Sequence, residues 1–295
     1  MSQTGRSKIL ITGNLGYVGS ALWEEAKKGA WEVFGIDKEA QSGPNVASFN
    51  LNDAEKTREA IKNFKPDVLI HAGSHSALIY KDNLYDPFLE DFGALKNVID
   101  ALKDFPDCRL IYYSSSYVYS GLPEESKVNE ESLLKPEHNF GVAKSFFEQF
   151  ILRNHPNSVV FRLSSVFGSG EAKHPNTILM FVKECLEKGQ INVWGKGSRK
   201  LQYIYNKDVV GQTLKGLEAG SGIYNLAGDD YITVAEAANK IAEFFKAKVN
   251  FLTDKTEGET LPFLENGKLK TSSGIAFTPF AEALPEYLNN LKNNG

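Results

Sequence analysis

Three glycines, Gly13, Gly16 and Gly19, stand three residues apart in TGNLGYVGS (12–20). They lie between the apolar run KILIT (8–12) and an apolar stripe at Val18, Ala21, Leu22 and Ala26. Placed between a strand and a helix, the first glycine permits the turn and the second lets backbone approach a pyrophosphate. The third lets the helix pack on the strand, and the helix N-terminus attracts the anion. The turn residues Asn14, Leu15 and Tyr17 are candidates for the same contact. WEVFGID (31–37) ends on Asp37, 18 residues after Gly19. A carboxylate there bonds adenosine ribose hydroxyls and repels a 2′-phosphate, which predicts NAD rather than NADP. Downstream, Lys144 lies four residues after Phe140, so the two share one helix face.

Other chemistries are poorly supported. His71 and His75 have i,i+4 spacing, but no glutamate follows His71 and no third ligand is near, so no metal site is expected. No Gly-x-Ser-x-Gly elbow follows a strand, which argues against a serine hydrolase. A net charge of −4 leaves no basic footprint for nucleic acid. No run of 18 apolar residues predicts a membrane span, and no charged-then-apolar leader precedes Lys8. Two cysteines, Cys108 and Cys185, fit a reducing compartment, so a soluble cytoplasmic protein is expected.

The elements that must position these residues alternate. Strands are predicted at 8–12, 31–37, 66–73, 109–116 and 158–165, with helices at 17–28, 53–64, 88–103 and 140–153 between them. That rhythm implies a doubly wound parallel sheet covered on both faces, an α/β fold with a smaller C-terminal α/β region. After 166 the pattern changes. A helix is expected at 176–188, an irregular hairpin-like segment in GQINVWGKGS, a helix from Asp208 to Leu217, and a further sheet strand in GIYNLAG (222–228). A helix over 232–245 has Thr233 as N-cap with Glu236 in capping-box position. The expected division is an NAD-binding domain over 1–167, with 203–227 returning to it. A substrate region then comprises 168–202 and 228–295.

With these motifs in order, the chain resembles the extended short-chain dehydrogenase/reductase family, in its nucleotide-sugar epimerase, dehydratase and reductase branch. IHAGSHSA (70–77) is similar to the fourth-strand segment beside the nicotinamide, which brings in Ala72, Gly73 and Ser74. SSSYVY (114–119) resembles the Ser-x-x-Val-Tyr pattern, which makes Ser115 the catalytic serine, with Ser116 and Tyr117 toward substrate. NFGVAK (139–144) resembles Tyr-Gly-x-x-Lys, FRLSSVFG (161–168) resembles Arg-x-x-Asn-Val-Tyr-Gly, and QYIYNKDVV (202–210) resembles the segment returning the chain to the sheet.

The resemblance implies an NAD-dependent C4 epimerase or keto-sugar reductase acting on a nucleotide-linked sugar, and a homodimer paired through helices. Lys144 would hold the nicotinamide ribose and depress the pKa of a tyrosine that moves the proton. Here that position is Phe140, which can neither donate nor accept a proton. It is either a natural divergence or a change introduced to stall turnover, with Tyr112, Tyr113, Tyr117, Tyr119 and His138 as nearby surrogates. The acidic pair of the dehydratases is replaced by Ser116 and Tyr117, which disfavours 4,6-dehydration. Ser165 stands at the usual sugar-nucleotide asparagine, and strict register puts Leu201 at the diphosphate arginine, with Arg199 and Lys200 as alternatives. The rival expectation is a non-catalytic dinucleotide-binding sensor or scaffold in which Phe140 is natural.

Overall fold

A computed structural model describes residues 7–170, 172–174 and 176–294. The chain opens with β1 (Lys8–Thr12), α1 (Tyr17–Lys28), β2 (Glu32–Ile36), β3 (Val46–Ala47), α2 (Ala54–Phe64) and β4 (Val68–His71). The short α3 (Ala77–Tyr80) then precedes α4 (Tyr85–Leu102), β5 (Arg109–Ser115), β6 (Lys127–Val128), α5 (Asn139–Asn154) and β7 (Ser158–Leu163). Next come β8 (Ser165–Phe167), α6 (Thr177–Lys188), β9 (Gln190–Trp194), β10 (Lys200–Tyr205), α7 (Asn206–Lys215) and β11 (Gly222–Leu226). The chain closes with β12 (Tyr231–Thr233), α8 (Val234–Phe245), β13 (Lys248–Leu252), β14 (Phe263–Leu264), α9 (Gly267–Ser273) and α10 (Phe280–Asn294).

Seven parallel strands form the main sheet in the order β3-β2-β1-β4-β5-β7-β11. The order reverses at β1, which opens a crevice at the carboxyl ends of β1 and β4. Apolar residues of the central strands alternate between two cores. Ile9, Ile11, Ile70 and Ile111 face α1 and α7, whereas Leu10, Leu69, Leu110 and Tyr112 face α4 and α5. A third core, built from β9, β10, α6, α8 and α10, fills the C-terminal region. Thr233 and Glu236 form the expected capping box at the start of α8.

Three local expectations are corrected. Residues 158–165 are not one strand: the chain leaves the main sheet after Leu163, and β8 pairs with β10 in a three-stranded sheet with β12. Gln190–Trp194 is not a hairpin, because its partner is β13, parallel and 58 residues downstream. Of the segment 202–210 expected to return the chain to the sheet, residues 202–205 lie in β10 of the three-stranded sheet, and α7 then packs on α1 before β11 re-enters the main sheet. Each error concerns a strand's partner rather than its existence, and partner choice is a non-local property. Among the described residues no helix is long and apolar enough to cross a membrane.

Candidate active site

The glycine turn is held against the end of β4. Gly13 has φ +71°, and a Cβ there would lie 2.6 Å from the Gly73 Cα, so only glycine lets these two chain segments touch. Gly16 caps α1 without a side-chain bond, and no acidic residue occupies the first helical turn, so the N-terminus is free for an anion. Gly13, Leu15, Gly16, Tyr17, Asp37, Ala72, Gly73 and Ser74 all line one cleft of about 520 Å³. Asp37 accepts from Leu15 N (3.2 Å) and Glu39 N (3.0 Å), which leaves half of a carboxylate's acceptor positions for ribose hydroxyls. Asn14 and Gly19 lie beneath the turn, buried, and the Asn14 Oδ1 has no partner among the described residues. Tyr17 donates to Gly168 O at 3.0 Å, and burial pushes its hydroxyl well above the usual phenol range. These residues fit a dinucleotide: a free helix end for the diphosphate and an acid at the ribose end.

At the far side of Ser74 lies Lys144, on the buried face of α5. Its Nζ donates to Ser74 Oγ (3.0 Å), Tyr112 OH (2.9 Å) and Tyr113 O (2.9 Å), which accounts for all three ammonium protons. Burial pulls its pKa down to about 8, against the opposing pull of Asp91 and Glu148. The Phe140 ring lies 5.3 Å from Nζ and packs against Tyr80 (5.4 Å) and edge-on to Tyr117 (5.9 Å). Ser115 is buried at the end of β5, its Oγ accepting from Tyr117 N at 3.3 Å. Ser115, Tyr117, Phe140 and Lys144 are thus brought together where β5 meets the start of α5. Ser116 is buried beside them. Ser165 stands two residues after Leu163, the strand partner of Ser115, and Arg199 makes no hydrogen bond to this cluster among the described residues. Ser165 starts β8 opposite Tyr203, and the Arg199 Nε donates to Glu259 O (2.6 Å) in the turn before β10.

One group escaped the sequence reading. His75 lines the cleft with its Nδ1 2.8 Å from Oδ1 of the buried Asp91, which also accepts from Tyr80 OH at 2.9 Å. That carboxylate bond, working against burial, raises the His75 pKa above its ordinary value. The signal was a single acid, Asp91, facing inward on the otherwise apolar stripe of α4. The same cleft is bordered by Lys173, which pairs with Glu39. No group of three His, Cys, Asp or Glu among the described residues is arranged to hold a metal ion.

Known proteins share this framework. The beta subunit of methionine adenosyltransferase 2 from Xenopus tropicalis is 27% identical over 95% of this chain and 87% of its own length. The spore coat polysaccharide biosynthesis protein SpsK of Bacillus subtilis is 23% identical over 96% of this chain and 97% of its own. UDP-glucose 4-epimerase from Thermotoga maritima, solved with UDP-glucose, superposes with a TM-score of 0.86 at 18% identity. That match covers 97% of this chain and 99% of the epimerase. MoeE5, solved with UDP-glucuronic acid and NAD, gives 0.87 at 18% identity, over 98% of this chain and all of the other. The model of the NAD dependent epimerase/dehydratase family matches residues 9–227, which spans the glycine turn, Asp37, Ser115, Lys144 and the strands that carry them. The chain belongs to the NAD-dependent epimerase/dehydratase family.

Proposed function

We propose that the protein binds NAD in the cleft and acts on a nucleotide-linked sugar, by C4 epimerisation or keto-sugar reduction. The observation that carries this reading is the continuous wall from Asp37 through the glycine turn to Ser74, which ends on the Lys144–Phe140–Ser115 cluster. The free N-terminus of α1 holds the diphosphate, and Asp37 accepts from the adenosine ribose. NAD supplies the hydride chemistry at the sugar carbon. Lys144 sets a positive potential under the reacting end, and Ser115 hydrogen-bonds the sugar oxygen. Arg199 lies on the substrate region's side and contributes to the nucleotide handle. Cys108 and Cys185 are both free and buried, which supports a reducing, cytoplasmic setting. The division into an NAD-binding domain and a C-terminal substrate region is part of the same proposal.

The test is turnover of a panel of UDP- and dTDP-sugars by the chain and by its Phe140→Tyr form. A gain of about 10²–10⁴-fold on placing a phenol four residues before Lys144, the usual contribution of a general acid/base, would show that no other group carries the proton, and equal rates would show that one does. NAD affinity should stay unchanged in calorimetry.

A second reading is a non-catalytic NAD-binding subunit. Two observations favour it: Lys144 has no N–H left for a ribose, and the relative above is named as a subunit of another enzyme. It prevails if both forms bind NAD and neither turns over any sugar of the panel.

A further inference from the structure

Phe140 supplies no phenol, but five tyrosines lie near it and Lys144 in space or in sequence. Four of the five are tied up inside the protein. Tyr80 donates to Asp91 (2.9 Å), Tyr112 accepts from Lys144, Tyr113 bonds Thr213 (2.7 Å), and Tyr119 donates to Asn129 O (2.8 Å) beside Arg162. All four are buried, and burial pushes each hydroxyl above the ordinary phenol range, so ionising any of them puts an anion in the interior.

His138 is excluded by its bonding. Its Nδ1 accepts the Phe140 N–H at 3.1 Å as the N-cap of α5, which assigns the neutral ring's proton to Nε2. In that form Nε2 has no lone pair to take a proton, and giving one up would leave an imidazolate. Forming the imidazolium would break the cap, and burial already pulls the pKa of His138 down.

Tyr117 is different in kind. It is only half-buried, and no described residue bonds its hydroxyl. Its backbone is fixed on both sides. The Tyr117 N–H donates to Ser115 Oγ, and its carbonyl lies against α5, where a Cβ on Gly141 would come within 2.1 Å of the oxygen. Its ring meets His138 at 4.7 Å and stands edge-on to Phe140 at 5.9 Å. We propose that Tyr117 is the proton-transfer phenol of this site, carried by the short helical turn Ser116–Tyr119 after β5 instead of by α5. In ketone reduction the Tyr117 O–H bond breaks as the proton passes to the sugar carbonyl oxygen, whose carbon takes hydride from reduced NAD. The phenolate then recovers a proton from water. In alcohol oxidation the phenolate takes the hydroxyl proton while the carbon gives its hydride to NAD⁺, leaving a carbonyl and the neutral phenol. This assignment rests on the NAD reading of the cleft.

The test combines an ultraviolet titration of phenolate with turnover, in the chain and in Tyr117→Phe. With NAD⁺ bound, one phenol should ionise at lower pH than without it, because the cationic nicotinamide favours the phenolate. Tyr117→Phe should abolish that early step and lower turnover of whichever panel sugar the chain accepts by about 10²–10⁴-fold. NAD affinity and melting temperature should not change, since the lost hydroxyl has no internal partner. An early phenolate that survives in Tyr117→Phe, or is absent while calorimetry shows NAD⁺ bound, overturns the assignment. So does a large fall in melting temperature, which would mean that the hydroxyl is bonded internally. Failure to bind NAD⁺ at all refutes the reading of the cleft instead, so the two failures are told apart.

Discussion

Asp37 and Lys144 show how differently two charged residues of one site are held. Asp37 is half-exposed and keeps acceptor capacity after bonding Leu15 N and Glu39 N. Replacing it with Ala should weaken NAD about ten- to a hundredfold, the range for losing hydrogen bonds to a charged acceptor. The loss for NADP should be smaller, since the same change removes repulsion of a 2′-phosphate. Titrating both dinucleotides by calorimetry checks this, and an unchanged preference would leave Asp37 with no part in discrimination. Lys144 is enclosed, and its fit depends on Ser74, Tyr112 and the Tyr113 carbonyl, which lie 70, 32 and 31 residues away in sequence. The spacing of Phe140 and Lys144 was legible because both sit on one helix. The saturation of the ammonium was not, because its acceptors come from other elements.

At the scale of elements, α4 and α5 lie side by side over one face of the sheet. Asp91, Leu95, Val98 and Ile99 point inward on α4, with Ala143, Lys144, Phe147 and Ile151 on α5. The outward side is also apolar: Leu89 and Phe146 are exposed, and Phe88, Phe92, Phe146 and Phe150 form a joined aromatic patch. A helix pair apolar on both sides is suited to a second copy of the chain. The proposed homodimer should therefore form through this pair, and Leu89→Glu with Phe146→Glu should yield monomers in sedimentation. NAD affinity should be kept, because neither residue lines the cleft. A dimer unaffected by the double change would place the interface elsewhere.

Across the whole molecule, the buried polar groups under the cleft make stability depend on pH. His71 is enclosed beside Thr12, whose hydroxyl lies 2.7 Å from Nδ1. Burial, and then the Lys144 ammonium, pull its pKa from 6.5 to about 4. Between these values the unfolded chain binds a proton that the folded chain refuses. The contribution is complete above pH 6.5 and is lost as pH falls toward 4, and at about 1.4 kcal/mol per pKa unit it reaches roughly 3 kcal/mol. Urea unfolding between these pH values should show that loss, and His71→Gln should flatten it. An equal slope in the variant would assign the acid sensitivity to other groups.

The sequence by itself determined the alternation of strands and helices, the parallel sheet, the glycine turn with Asp37 after the next strand, and the position of Phe140 before Lys144. These follow from short-range periodicity and from backbone geometry that only certain residues allow. Tertiary structure decided which strands pair after Leu163, because the partners of β8 and β9 lie on distant segments. It also decided that Asp91 turns His75 toward the cleft, that Lys144 has no free proton, and that Tyr117 alone among the nearby phenols is uncommitted. Hydrogen bonding in a closed interior depends on which elements meet, and segments tens of residues apart are brought within 3 Å of each other only by the fold.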